Sequence, residues 1–193
     1  MGKKILVITG SPRKKGNSFA MTDAFVNAAE AKGHTVTRFD AAFMNVGGCR
    51  ACDTCFQTGR ACSFDDDFNT IAPEIEAADA IVFTSPVYWY TFSAQIKAVM
   101  DKLYAFMTVE KDIANKKHGF ARKGIGGKKY GLISCYEEND MSVMDGVRFS
   151  YERTVTMLKG TSVGEVLIPN VWDVNDIQKT EGIEQAKALA EKF

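Results

Sequence analysis

Two kinds of apolar pattern divide this chain. Ile5 to Ile8 are apolar without a break, and Ala80 to Ser85 (AIVFTS) and Lys129 to Cys135 (KYGLISC) repeat that solid character. Runs without alternation belong to parallel strands covered on both faces. Thr161 to Ile168 reads as a further strand, whereas His34 to Asp40 (HTVTRFD) alternates, with Val36 and Phe39 apolar, as a less buried edge strand does. Helical spacing fills the intervals. Phe19 to Lys32 is amphipathic, and Asp65, Asp66 and Asp67 are placed to cap a helix running to about Ala78. Ser93 to Phe106 sets Ile96, Val99, Met100 and Leu103 on one face. Met144, Val147, Tyr151, Val155 and Leu158 recur at the same spacing up to Gly160, and Thr180 to Phe193 closes the chain as a helix.

Strand and helix thus alternate five times. With right-handed crossovers this predicts an α/β fold: a doubly wound, five-stranded parallel sheet in the flavodoxin-like order 2-1-3-4-5, with helices on both faces. No repeat, low-complexity tract or linker interrupts it, so residues 1–193 read as one domain. Two stretches lack periodicity, a cysteine-rich loop at 41–64 and a basic loop at 107–128. Ligands of such sheets sit beyond the carboxyl ends of the strands, at the switch point between the first and third.

Composition narrows the function classes. Lys and Arg number 24 and Asp and Glu 24, with 46% hydrophobic and 25% charged residues, a balance that points to neither a nucleic acid nor a membrane surface. A strand begins within three residues of the N-terminus and no apolar run approaches a membrane span, so a cytoplasmic location is expected. There the five cysteines are expected as thiols, metal ligands or redox groups rather than as a disulfide framework.

The loop leaving the first strand carries the first candidate chemistry. Ser11, Arg13, Lys14, Lys15, Asn17 and Ser18 crowd donors around Gly10 and Gly16 at the start of a helix. Backbone N–H groups at a helix N-terminus bind phosphate. The spacing fits neither a P-loop nor a dinucleotide fingerprint; the plain alternative is a basic strand-to-helix turn. Beyond the third strand, Ser85-Pro86-Val87-Tyr88-Trp89-Tyr90 offers an apolar platform with backbone partners for a flat ring, or else a core or subunit contact. Ser134, Cys135 and Tyr136 open a third loop on the same edge, where Cys135 has the alternative of a small core residue. Cys49, Cys52, Cys55 and Cys62 form C-x2-C-x2-C-x6-C after Gly47-Gly48, spacing that lets four thiols converge. Zinc more often takes two separated C-x2-C pairs, and a redox dithiol remains open.

Gly10-Ser11-Pro12-Arg13-x-x-Gly16-Asn17-Ser18 resembles the phosphate loop of the NAD(P)H-dependent FMN reductases, a flavodoxin-like family, and the Ser85 to Tyr90 loop resembles their second cofactor loop. The resemblance extends to Asp176-Ile177 and the helix holding Ala186 and Ala190. It implies FMN held by Ser11, Arg13, Lys15, Asn17, Ser18, Pro86, Val87, Tyr88, Trp89, Ser134, Cys135 and Tyr136. The third loop departs from the pattern: Cys135, Tyr136, Glu137 and Glu138 stand where the family commonly has a glycine-rich stretch. The cysteine spacing resembles the iron-sulfur flavoproteins, which implies a [4Fe-4S] cluster on Cys49, Cys52, Cys55 and Cys62, with Arg50 and Arg60 offsetting its charge. Cluster-free relatives keep part of this loop, in a frame that Gly59, Cys62, Asp65 and Asp66 match. Implied in turn are NAD(P)H as hydride donor to the flavin and a small acceptor: a quinone, nitroaromatic, free flavin or metal ion. No side chain need act as acid or base. A homodimer or homotetramer is implied as well. The alternatives are an electron carrier between ferredoxin-like donors and an acceptor, and a flavin-binding regulator without turnover. The basic loop suits the phosphates of NADPH or plain solvation, and neither His118 nor His34 is assigned a role.

Overall fold

The computed structural model describes residues 2–55, 61–112, 117–122 and 125–193, with the backbone alone over 108–112 and 117–122. Strand β1 (Lys4–Thr9) leads into helix α1 (Asn17–Ala31) and strand β2 (Thr35–Asp40). The cysteine segment then precedes α2 (Phe68–Ala77), β3 (Ala80–Tyr88), a short β4 (Thr91–Phe92) and α3 (Ala94–Lys102). Strands β5 (Met107–Asp112) and β6 (Lys117–Arg122) form a separate antiparallel pair. The chain finishes with β7 (Lys129–Cys135), α4 (Asp145–Met157), β8 (Thr161–Ile168) and α5 (Gly182–Ala190).

The parallel strands lie in the order β2-β1-β3-β7-β8, the doubly wound flavodoxin-like arrangement that the alternation predicts. Ile5, Leu6, Val7 and Ile8 are each at most 1% exposed, as a strand covered on both faces requires. One apolar core lies between the sheet and α2, α3 and α4, where Phe83 packs against Tyr130 and Tyr151 at 6.3 and 6.5 Å. The other lies under α1 and α5, where Phe25 and Phe193 meet edge to face at 5.6 Å.

Three departures from the sequence expectation have physical reasons. First, β3 does not stop at Ser85: Ser85 and Pro86 pair with Ser134 and Cys135 of β7, and the strand then folds back through β4. Tyr88 pairs with Thr91, leaving Trp89 and Tyr90 as a two-residue turn with φ of 48° and 61°. Such turns favour Asn-Gly, so nothing in Trp-Tyr announces one. Second, the stretch 107–128 is not simply a loop, because it contains β5 and β6; residues 113–116 and 123–124 lie outside the described residues. Lys128 is no solvated cation either. It is buried and donates to the carbonyls of Glu76, at 2.8 Å, and Ala78. Third, α2 starts at Phe68, and the carboxylates of Asp66 and Asp67 reach back to the cysteine segment instead of only capping a helix.

Candidate functional site

The loops beyond β1, β3 and β7 share one crevice. A cavity of about 80 Å3 is walled by Ser11, Arg13, Gly16, Asn17 and Ser18 on one side, by Pro86, Val87 and Tyr88 on another, and by Cys135, Tyr136 and Glu137 on a third. Val87, Tyr88, Tyr136 and Glu137 also line an adjoining space of about 470 Å3, whose rim carries Trp89, Tyr90, Glu138 and Val143. A small phosphate-sized recess therefore opens into a broader slot flanked by aromatic rings.

Close packing shapes the recess. Gly10 donates to the carbonyl of Thr84 at 2.8 Å and accepts from the Ser93 hydroxyl at 2.8 Å; a Cβ at Gly10 would lie 2.3 Å from that hydroxyl. The chain then turns, with Gly16 N–H donating to the Arg13 carbonyl at 3.0 Å, and Ser11 Oγ accepting from Arg13 N–H at 3.3 Å. Gly16 caps α1 without a side-chain hydrogen bond, and no acidic residue occupies the helix's first turn. The positive end of α1 is left to face an anion.

Not every expected residue reaches the crevice. Lys15 does not line it, and Lys14 sits over the Phe43 ring at 4.6 Å. Ser134 is fully buried behind the wall, donating to the Ser85 carbonyl at 2.7 Å. Ser18 and Cys135 meet at 3.2 Å at the floor, where burial pushes the Cys135 thiol up to about 11. Asn17 holds structure: its Nδ2 donates to the Asp173 carbonyl at 2.8 Å and its Oδ1 accepts from Ile177 N–H at 3.4 Å.

Those bonds reveal a fourth wall that the sequence did not announce. Val171, Trp172 and Val174 line the recess. Tyr136 N–H donates to the Ile168 carbonyl and Val171 N–H to the Tyr136 carbonyl, each at 3.0 Å, so the segment after β8 is zipped to the third loop. Asp176 accepts from Trp172 and Asp173 N–H at 3.2 and 2.7 Å, and the Lys179 ammonium, together with these bonds, holds its carboxyl below the usual range. The one available signal was positional, since β8 also ends on the ligand-binding edge.

The cysteines form a second site. Cys49, Cys52, Cys55 and Cys62 all line one cavity of about 20 Å3, together with Arg50, Asp53, Lys102 and Tyr104. Ala51 and Asp53, interleaved with the cysteines, adopt φ of 52° and 55°, left-handed conformations uncommon for these residues and typical of sites where the fold over-determines the backbone. Hydrogen bonds from Thr54 and Ser63 lower the exposed Cys52 thiol to about 7. The base of the segment is clamped: Asp67 Oδ2 accepts from Asn45 N–H at 2.7 Å, Asp66 Oδ2 from Gly47 N–H at 3.0 Å, and Asn69 Oδ1 from Cys62 N–H at 2.8 Å. Arg50 lies over the Phe64 ring at 4.6 Å; Arg60 and Gly59 lie outside the described residues. No three His, Cys, Asp or Glu side chains among the described residues stand close enough, as placed, to grip a metal ion. The donor chemistry nevertheless fits an iron-sulfur group: four soft thiols line one cavity beside two cations.

The family model of the NADPH-dependent FMN reductases matches residues 3–154. An iron-sulfur flavoprotein of Archaeoglobus fulgidus is 33% identical over 103 residues, 53% of this chain, which spans 46% of that relative's length. A second iron-sulfur flavoprotein of the same organism is 26% identical over 193 residues, covering 98% of this chain and 94% of the relative. Among solved structures, an FMN-dependent NADH-azoreductase from Bacillus anthracis in complex with FMN superposes with a TM-score of 0.73 over 100% of this chain and 99% of the other, at 13% identity. That last likeness is one of fold.

Proposed function

The chain belongs to the NADPH-dependent FMN reductase family, and on that footing we propose that it is an FMN-dependent oxidoreductase that carries electrons from NAD(P)H to a small acceptor: a quinone, nitroaromatic, flavin or metal ion. One observation carries the proposal. The uncapped start of α1, the Tyr88-Trp89 hairpin and the Tyr136 loop line one continuous crevice at the switch point of the sheet.

Bound there, FMN supplies the redox chemistry. The chain's own residues bind and orient it. Arg13, Ser11 and the N–H groups at the start of α1 would hold its phosphate, and Tyr88, Trp89, Tyr136 and Trp172 would hold its ring. Cys135 is protonated at neutral pH, as an ordinary thiol is, and burial, which pushes it up to about 11, keeps it so in more alkaline solution, so no thiolate beneath the recess opposes the phosphate. Arg13→Ala is expected to weaken FMN retention; unchanged flavin affinity would remove the recess as the phosphate site.

The cysteine cavity supports a second element: a [4Fe-4S] cluster held by Cys49, Cys52, Cys55 and Cys62, which would make the chain an electron carrier if its donor is a protein. Among the described residues none lines both the cysteine cavity and the crevice. Cys52→Ala should therefore abolish iron while FMN stays bound, and unaltered iron in that variant would exclude Cys52 as a ligand. We place the chain in the cytoplasm as a homo-oligomer, the exposed Trp89 and Tyr90 being candidates for cover by a second copy; among the described residues no helix is long and apolar enough to cross a membrane.

A further inference from the structure

Lys102 is the last residue of α3, and its side chain is only 2% exposed. Burying a lysine is costly unless it is paired. Its partner is Asp66, 8% exposed, and the ammonium also lies 5.7 Å from the centre of the Phe68 ring. The pair is asymmetric in its surroundings. Asp66 additionally accepts from Gly47 N–H at 3.0 Å and Phe68 N–H at 3.2 Å, so its charge is spread over three donors. Lys102 lines the cysteine cavity, on the side formed by the end of α3.

From this arrangement we infer that Lys102, held by Asp66, is the counter-charge of the cysteine cavity and sets how readily a thiolate-bound redox group there accepts an electron. The inference rests on the proposed cluster. A four-thiolate group becomes more negative by one unit when it takes up an electron. A buried cation beside it stabilises the reduced form far more than a solvated one, because little water screens the field. The second cation lining the cavity, Arg50, stacks on Phe64 in a segment whose cysteines are partly exposed, where screening is stronger. Asp66 has two tasks: it accepts from Lys102 at the cavity wall, and it ties the neck of the cysteine segment to α2. A bare structural staple would need only the second.

The test is a dithionite titration of the anaerobically purified protein, each molecule of cluster taking one electron, followed by paramagnetic resonance and paired with iron analysis. Lys102→Met should lower the electron affinity about tenfold or more, a shift of about 59 mV to lower potential for a one-electron couple. Lys102→Arg keeps the charge and should stay within about threefold of wild type, or about 28 mV on the same scale. An unchanged midpoint in Lys102→Met at equal iron content overturns the inference while leaving the cluster in place. If Lys102→Met loses iron, Asp66→Asn decides: the amide oxygen still accepts from Lys102, so the cation stays while an anion is removed and the midpoint must rise, and a midpoint unchanged or lower overturns the inference. Wild-type protein without iron overturns the cluster assignment, and the inference with it.

Discussion

Gly146 is the second residue of α4 and backs onto the aromatic hairpin. A Cβ built there would lie 2.2 Å from the carbonyl oxygen of Tyr90 and 3.3 Å from its carbonyl carbon. Carbon and carbonyl oxygen rarely approach closer than about 3.3 Å, so Gly146→Ala must open the gap by about 1 Å. The obstacle is backbone, not a pliable side-chain end. Either α4 or the turn of Trp89 and Tyr90 must move, and the turn, whose Trp89 is 93% exposed, is the less restrained. Overpacking of this kind costs about 1–3 kcal/mol, against up to about 1 kcal/mol gained from replacing a helical glycine. Global stability should therefore fall by about 0–3 kcal/mol. The crevice should feel the change more directly, because Tyr88 and Trp89 line the slot beside Tyr136. We expect FMN to bind about tenfold more weakly, equivalent to about 1.4 kcal/mol, read by quenching of flavin fluorescence on titration. FMN affinity equal to wild type, together with a raised melting temperature, would refute the coupling between α4 and the crevice.

The buried thiol gives a pH signature. Burial raises Cys135 from 9.0 to about 11; below pH 9 it is protonated both folded and unfolded, whereas between pH 9 and 11 only the unfolded chain loses the proton, which favours unfolding. The stability of wild type relative to Cys135→Ala should thus fall by about 2–3 kcal/mol across that window, measured by urea denaturation, and a difference independent of pH would contradict the assignment. Asn17→Ala removes both side-chain bonds to the segment after β8, worth about 1–2 kcal/mol together; it should weaken FMN binding and shift Trp172 emission to the red. Unchanged emission and affinity would show that the fourth wall stands without Asn17.

Much of this was legible in the sequence because apolar runs report burial on both faces. β1, β3 and β7 were found from such runs, and the sheet order followed from the alternation of strands with helices. The recess was legible too, since Ser11, Arg13 and Asn17 sit where a strand hands over to a helix. What escaped depends on partners distant in sequence. Nothing local in Asn17 says that it bonds to Asp173, and nothing in Lys128 distinguishes it from the basic residues around it, although Glu76 and Ala78 bury it. Ser134 has a cofactor residue's position but spends its hydroxyl on Ser85. β4 was hidden by a turn whose residues defy the usual preference, and β5 and β6 (MTVEKD and KHGFAR) are too polar to show a buried face. Asp66 and Asp67 matched the signature of a helix start, yet their carboxylates also serve the neck of the cysteine segment.

The most direct test of NAD(P)H-dependent flavin reduction is anaerobic mixing of the FMN-loaded protein with NADPH and, separately, NADH, followed at the flavin absorbance bands. At least one of them is expected to bleach the flavin, and adding a quinone to restore its colour. Flavin that stays oxidised with both nucleotides, yet is bleached by dithionite, would contradict an NAD(P)H-dependent reductase.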